Sequence, residues 1–239
     1  MKRGLFARFL SWLGSHELQV LAAAVAIAAG VWIFAVLADS VMEGGTESFD
    51  KRLLLAMRRP GDLSPIGPPA FQEAARDITA LGSLAILGLL TIITAGFLWL
   101  DGKRRMALFA CGAVAGGLLT SLILKDAFQR PRPDIVPQAD HVSTASFPSG
   151  HSMLSAVTYL TLGALLARSQ ERKRLKAYTL VVAAGLTFLV GLSRVYLGVH
   201  WPTDVLAGWT AGGVWAILCW LAARWLQVHR ALEAESEHG

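Results

Sequence analysis

The run ITALGSLAILGLLTIITAGFLWL, residues 78–100, carries no charged side chain. As a helix rising about 1.5 Å per residue it reaches about 35 Å, enough to cross the roughly 30 Å hydrocarbon core of a bilayer. Two further charge-free runs of that kind, 18–38 and 106–124, lie on either side of it. Three shorter ones follow at 152–167, 177–193 and 205–223, the first two extended into the interface by their flanks. The expected fold is all-α: a six-span transmembrane helical bundle forming one integral-membrane domain over residues 1–239.

Composition agrees with that reading. Of 239 residues, 54% are hydrophobic and 16% charged, with a mean hydropathy of +0.49; an ordinary soluble domain carries about 25% charged residues. A water-soluble globule and a disordered chain are both excluded. The net charge of +5 and pI near 9.6 bring no Lys/Arg stripe with interleaved aromatics, so a nucleic-acid partner is not expected. Cys111 and Cys219 both fall inside apolar runs, as lipid-facing or packing residues, with no disulfide framework and no C-x-x-C pair. The basic leader and first run could be a secretory signal, but the apolar stretch is longer than the usual 7 to 15 residues, which favours a first span.

The basic residues set the orientation. With six spans, one side holds Lys2, Arg3, Arg8, Lys103, Arg104, Arg105, Arg168, Arg172, Lys173, Arg174, Lys176, Arg224 and Arg230. Both termini are therefore expected in the cytoplasm of a multi-pass protein of the plasma (inner) membrane. The first outer loop, 39–77, carries five basic residues against this rule. A short amphipathic helix capped by Ser48 accounts for them, with Phe49, Leu53 and Met57 on its interfacial face and Lys51, Arg52, Arg58 and Arg59 elsewhere. Reversing Arg58 and Arg59 to Glu would test whether this helix governs lipid access. The prolines and glycines from Pro60 to Pro69 are expected to break regular structure before the second span.

Three polar clusters lie at the ends of apolar runs, all on the same expected outer face: residues 125–133 (KDAFQRPRP), 147–151 (FPSGH) and 193–204 (SRVYLGVHWPTD). Pro148-Ser149-Gly150-His151 reads as a helix start whose backbone N–H groups can approach an anion. Lys125, Arg132 and Arg194 arrive from different helices and would repel one another without an anion between them; phosphate fits that charge and shape. Pro202 can start the last helix, which puts Asp204 in its first turn and His200 just outside. The carboxylate can then fix the imidazole tautomer, leaving the other nitrogen to attack, while His151 serves as proton donor and acceptor. Taken singly, each feature has a bland reading: a span-end Arg anchors the helix, Pro-Ser-Gly turns the chain, and a His near Trp sits at the interface. Their conjunction points to chemistry. Arg130, Asp134, Asp140 and His141 read as solvated loop residues, and His16, His229 and His238 carry no functional reading.

At these residues the chain resembles the type 2 phosphatidic acid phosphatase (PAP2) superfamily. The tripartite signature K-x6-R-P, P-S-G-H, S-R-x5-H-x3-D is met by Lys125, Arg132, Pro133, Pro148, Ser149, Gly150, His151, Ser193, Arg194, His200 and Asp204. The match runs residue by residue over 125–204 and through the six-span layout elsewhere. The resemblance implies a phosphohistidine on His200, orientation by Asp204, protonation of the leaving group by His151, and phosphate binding by Lys125, Arg132, Ser149, Gly150 and Arg194. It also implies no metal and no cofactor. Hydrocarbon-length runs set aside the soluble vanadium haloperoxidases of the same superfamily. The expected substrate is a membrane lipid phosphate or diphosphate: phosphatidic acid, phosphatidylglycerol phosphate, undecaprenyl pyrophosphate or lipid A phosphate. A lipid phosphotransferase using the same histidine, and a non-enzymatic lipid-binding or flipping protein, are the alternatives; the signature settles neither the particular lipid nor the oligomeric state.

Overall fold

A computed structural model describes residues 15–137, 144–168 and 170–236. The basic leader 1–8 and the loop residues Asp140 and His141 lie outside the described residues. Eight helices are found among the described residues: α1 (Ser15–Met42), α2 (Glu47–Leu55), α3 (Pro69–Ala80), α4 (Leu84–Leu100), α5 (Arg104–Phe128), α6 (Gly150–Arg168), α7 (Lys173–Tyr196) and α8 (Pro202–Ser236). Among the described residues, five helices are long and apolar enough to cross a membrane, and the bent pair α3–α4 makes the sixth span. The expected six-span bundle is present. Many large apolar side chains point outward, such as Trp32, Ile92, Phe97 and Val181. Such a surface suits a hydrocarbon solvent.

Lipid gives helices little hydrophobic reason to associate, so close backbone packing has to hold the bundle. Gly208 and Gly212 of α8 supply it against α6. A Cβ at Gly208 would lie 2.7 Å from the Ser149 carbonyl oxygen, and one at Gly212 would lie 2.6 Å from both the Met153 oxygen and the Ala156 Cβ. This crossing brings the start of α6 beside the start of α8. Midway along, α6 widens into a π-helical turn over Ala156–Leu160, from which the Tyr159 hydroxyl donates to the Leu81 carbonyl (2.8 Å).

The second span departs from the sequence reading in two ways. It does not run unbroken through 78–100: it bends by 48° between α3 and α4. Gly82 sits in the break because α7 and α6 press on it; a Cβ there would stand 2.4 Å from Val190 and 3.3 Å from the His151 ring. Ser83 then restarts the helix, its hydroxyl capping the Ile86 amide at 3.3 Å. In addition, the Pro-rich stretch ends sooner than expected, since Pro69 occupies the first turn of α3, where its missing N–H costs nothing.

The outer-loop helix exists, but its cap is corrected. Thr46, not Ser48, precedes α2; Phe49 and Leu53 are exposed, and the side chains buried against the protein are Asp50 and Leu54. Leu54 packs with Val136, Val195, Trp201 and Val205, so α2 lies on the bundle end that carries the polar clusters. Arg58 is also corrected: it is 5% exposed, and its guanidinium donates to the carbonyls of Tyr196 (2.8 Å) and Val195 (3.4 Å). A cation there satisfies the open C-terminal carbonyls of α7. Cys111 is exposed on α5 and Cys219 is buried on α8.

Candidate active site

Four spans deliver the site by their ends: Lys125 from the last turn of α5, Ser149 to His151 from the start of α6, Arg194 from the last turn of α7, and Asp204 from the first turn of α8. Alternating helix direction brings these termini together at one end of the bundle. His200 occupies the turn between α7 and α8, 1% exposed.

The His200 ring is held from both sides. Its Nδ1 stands 3.4 Å from Asp204 Oδ2 and 3.3 Å from the Ser146 hydroxyl, and its Nε2 faces the Arg132 guanidinium at 3.2 Å. The same carboxylate oxygen accepts from the Trp201 amide (2.9 Å) and, in a short bond, from Ser146 Oγ. A proton on Nδ1 thus has a carboxylate to meet, and the Nε2 lone pair points toward the cations. Burial pushes the His200 imidazole down to about 4; the hydrogen bond and charge of Asp204 oppose this, while Arg132 and Arg194 reinforce it. The ring is therefore neutral at ordinary pH.

The cations form the rest of the cradle. Lys125 Nζ donates to the Ala145 carbonyl (2.6 Å), and its Cε lies 3.2 Å from where a Gly150 Cβ would stand. Arg132 is braced by the carbonyls of Val199 (2.7 Å) and Thr144 (2.8 Å). Arg194 is 1% exposed and donates to the Thr79 hydroxyl of α3 at 3.0 Å. His151 lies within electrostatic reach of Arg194, His200, Lys125 and Arg132, so all the expected residues share one neighbourhood. Ser149 is more occupied than its motif suggested. Its hydroxyl accepts from the Ser152 amide and hydroxyl, and its own amide donates to the Asp204 carbonyl. That leaves one hydroxyl proton, together with the Gly150 and His151 amides, which have no acceptor within the helix.

Sequence reasoning missed a second layer. Arg130, expected in a solvated loop, is 10% exposed and forks between two buried carboxylates: Nη1 to Asp204 Oδ1 at 2.6 Å and Nη2 to Asp50 Oδ2 at 2.8 Å. Thr203 joins the same network through its amide (3.0 Å) and hydroxyl (2.7 Å), both donated to Asp50. The chain shows a second Arg two residues before Arg132 and an acid, Asp50, next to Lys51 and Arg52, but neither feature marks an inward side chain. Asp134 is exposed, as expected. Among the described residues, no group of three or more His, Cys, Asp or Glu side chains could hold a metal ion.

Comparison with known proteins meets this geometry. The chain is 34% identical to the phosphatidylglycerophosphatase B of Bacillus subtilis, over 75% of its own length and 85% of that protein's. It is 30% identical to the lipid A 1-phosphatase of Rhizobium etli, over 65% and 74% of the two lengths. Among solved structures, the transmembrane PAP2-type phosphatidylglycerolphosphate phosphatase of Bacillus subtilis superposes with a TM-score of 0.75 at 30% identity, covering 83% of this chain and 96% of that one. The sequence profile of the PAP2 superfamily matches residues 106–227, just over half of the chain, and with these relatives beside it the chain belongs to the PAP2 superfamily.

Proposed function

We propose that this membrane phosphatase hydrolyses a lipid phosphate or diphosphate through a phosphohistidine on His200, at the extracytoplasmic face of the inner membrane. The observation that carries the reading is the two-sided hold on His200: Asp204 at Nδ1 and Arg132 at Nε2. A phosphoryl group drawn to Lys125, Arg132 and Arg194 comes to rest in front of the free nitrogen. Attack forms an N–P bond and breaks the P–O bond to the lipid, whose oxygen takes the proton of His151. Water then attacks phosphorus, gives its proton to His151 and releases phosphate, restoring neutral His200. The fixed cations and the first-turn amides of α6 stabilise the equatorial oxygens in both steps, with no metal required.

Relatives that act on phosphatidylglycerophosphate and lipid A support an anionic lipid as substrate. Candidates are phosphatidylglycerol phosphate, phosphatidic acid, lipid A phosphate and undecaprenyl diphosphate. The test is phosphate release by the purified protein in detergent with chelator present, across these four lipids, beside His200→Ala. Release that vanishes in His200→Ala while substrate binding is kept is the expected outcome. Release that persists in the variant, or that requires a second lipid as acceptor, would overturn the proposal.

A further inference from the structure

Asp50 is fully buried, although it belongs to a helix in a connecting loop and its neighbours Lys51 and Arg52 point outward. A carboxylate taken out of water needs partners. It has four: the Thr203 amide, the Thr203 hydroxyl, Arg130 Nη2, and the Thr46 hydroxyl at 3.2 Å. Three of these tie α2 to the very turn of α8 that carries Asp204 or to the guanidinium that grips it.

Arg130 reaches across this arrangement as a fork. One nitrogen holds Asp50 and the other holds Asp204 Oδ1, while the opposite Asp204 oxygen faces His200. The guanidinium carbon also lies over the Trp201 ring, 5.6 Å from its centre. One cation between two carboxylates leaves a net negative charge, and the Asp204 oxygen away from Arg130, which accepts from the Trp201 amide and the Ser146 hydroxyl, is the one turned to the imidazole. Without Asp50, the guanidinium is free to engage both Asp204 oxygens in a bidentate pair, the geometry it prefers, and would then compete with His200 for Oδ2.

We infer that Asp50, acting through Arg130, is a positioning residue that sets the Asp204 carboxylate against His200, so that the outer-loop helix α2 governs the chemical step. This rests on the reading of His200 as nucleophile and Asp204 as its orienting acid. The phosphate cations are braced by other groups, Ala145 for Lys125 and Thr144 and Val199 for Arg132. Disturbing Asp50 should therefore alter turnover and spare phosphate affinity.

The experiment compares wild type, Asp50→Asn, Arg130→Lys and the double variant, with His200→Ala as control, using dioctanoyl phosphatidic acid in detergent and inorganic phosphate as inhibitor. Arg130→Lys keeps a cation between the buried carboxylates but cannot span both, so it decides the matter alone if Asp50→Asn is not recovered folded. Each single variant is expected to lower kcat on the order of 10- to 100-fold, the scale of a misplaced reacting group. KM and the phosphate inhibition constant should stay within about threefold, as expected for an interaction realised only in the transition state. The double variant should be no slower than the slower single, because the two residues act as one unit; Asp50→Glu should recover part of the loss. A folded variant with kcat within about twofold of wild type, additive losses, or a parallel loss of phosphate affinity would overturn the inference. Turnover surviving in His200→Ala would instead overturn the reading beneath it.

Discussion

At the scale of single residues, the site works by holding a histidine neutral among cations. Burial is the largest influence on His200 and pushes it down to about 4, below its unperturbed value near 6.5. Under the proposed mechanism the neutral ring attacks, so kcat/KM should stay high down to about pH 5 and fall as pH drops through about 4. In kcat an alkaline limb should follow where His151, in the substrate complex, loses the proton it is proposed to donate. A rate profile taken on protein shown to remain folded checks this, and an acid limb near pH 6.5 would contradict the buried, neutral ring. The same sign applies to stability: protons bind the unfolded chain first, so stabilisation from the neutral ring is present above about pH 6.5 and is lost as pH falls toward 4. The residues of the candidate phosphate cradle were legible in the chain because each puts a charge or a Pro-Ser-Gly break where an apolar run ends. Arg130 and Asp50 were not. Their pairing joins positions 80 residues apart, and nothing local distinguishes an Arg that folds inward from one that stays solvated. Ser146, which touches both Asp204 and His200, is likewise an ordinary loop serine until the chain is folded.

At the scale of elements, the site depends on how closely α6 and α8 cross. Gly208 and Gly212 allow that approach, and the neighbouring Gly213 gives an internal control, because a Cβ there meets nothing within 4 Å. Gly212→Ala must push against backbone at 2.6 Å, which a helix crossing can relieve only by separating. Overpacking of this kind costs about 1–3 kcal/mol, and the shift it forces on Ser149 and Asp204 should lower kcat on the order of 100-fold. Gly213→Ala should leave activity intact and raise stability by about 0.5–1 kcal/mol, because alanine favours helix more than glycine does. Thermal midpoints and kcat for the pair in the same detergent check this; equal behaviour of the two variants would refute the packing account. Element existence was readable from charge-free length alone, whereas the break in the second span was not. Residues 78–100 contain no proline and no charge. At the bend the Gly82 backbone lies so close to Val190 and His151 that a Cβ would not fit, and its one local mark is the Gly82-Ser83 pair. The inward side of α2 was not read for a related reason: amphipathicity marked Phe49 and Leu53 as an interfacial face, and the buried ion pair of Asp50 leaves no such pattern.

At the scale of the whole molecule, the arrangement separates two ends of the bundle by charge use. At the site end, the basic side chains of Lys125, Arg130, Arg132, Arg194 and Arg58 are engaged with carbonyls, carboxylates or hydroxyls. Of the five basic residues of the outer loop, Arg58 alone is buried in this way, and Lys51, Arg52, Arg59 and Arg76 are exposed. At the other end, Arg105, Arg172, Lys173, Arg174 and Lys176 are exposed. Charges left in the open are the ones that hold a loop in the cytoplasm, and they outnumber the four exposed at the site end, Lys51, Arg52, Arg59 and Arg76, so the site end should face outward. Single cysteines test this in a background with Cys111 and Cys219 replaced by Ala. Asp62→Cys lies in the exposed loop before α3 and Glu171→Cys in the exposed loop between α6 and α7. Neither substitution removes a basic residue, so the topogenic charges stay as they are. An impermeant maleimide added to intact spheroplasts should label Asp62→Cys and reach Glu171→Cys only after the membrane is opened. The reverse pattern would place the site in the cytoplasm, and substrate would then have to come from lipids whose phosphates are displayed on the inner leaflet.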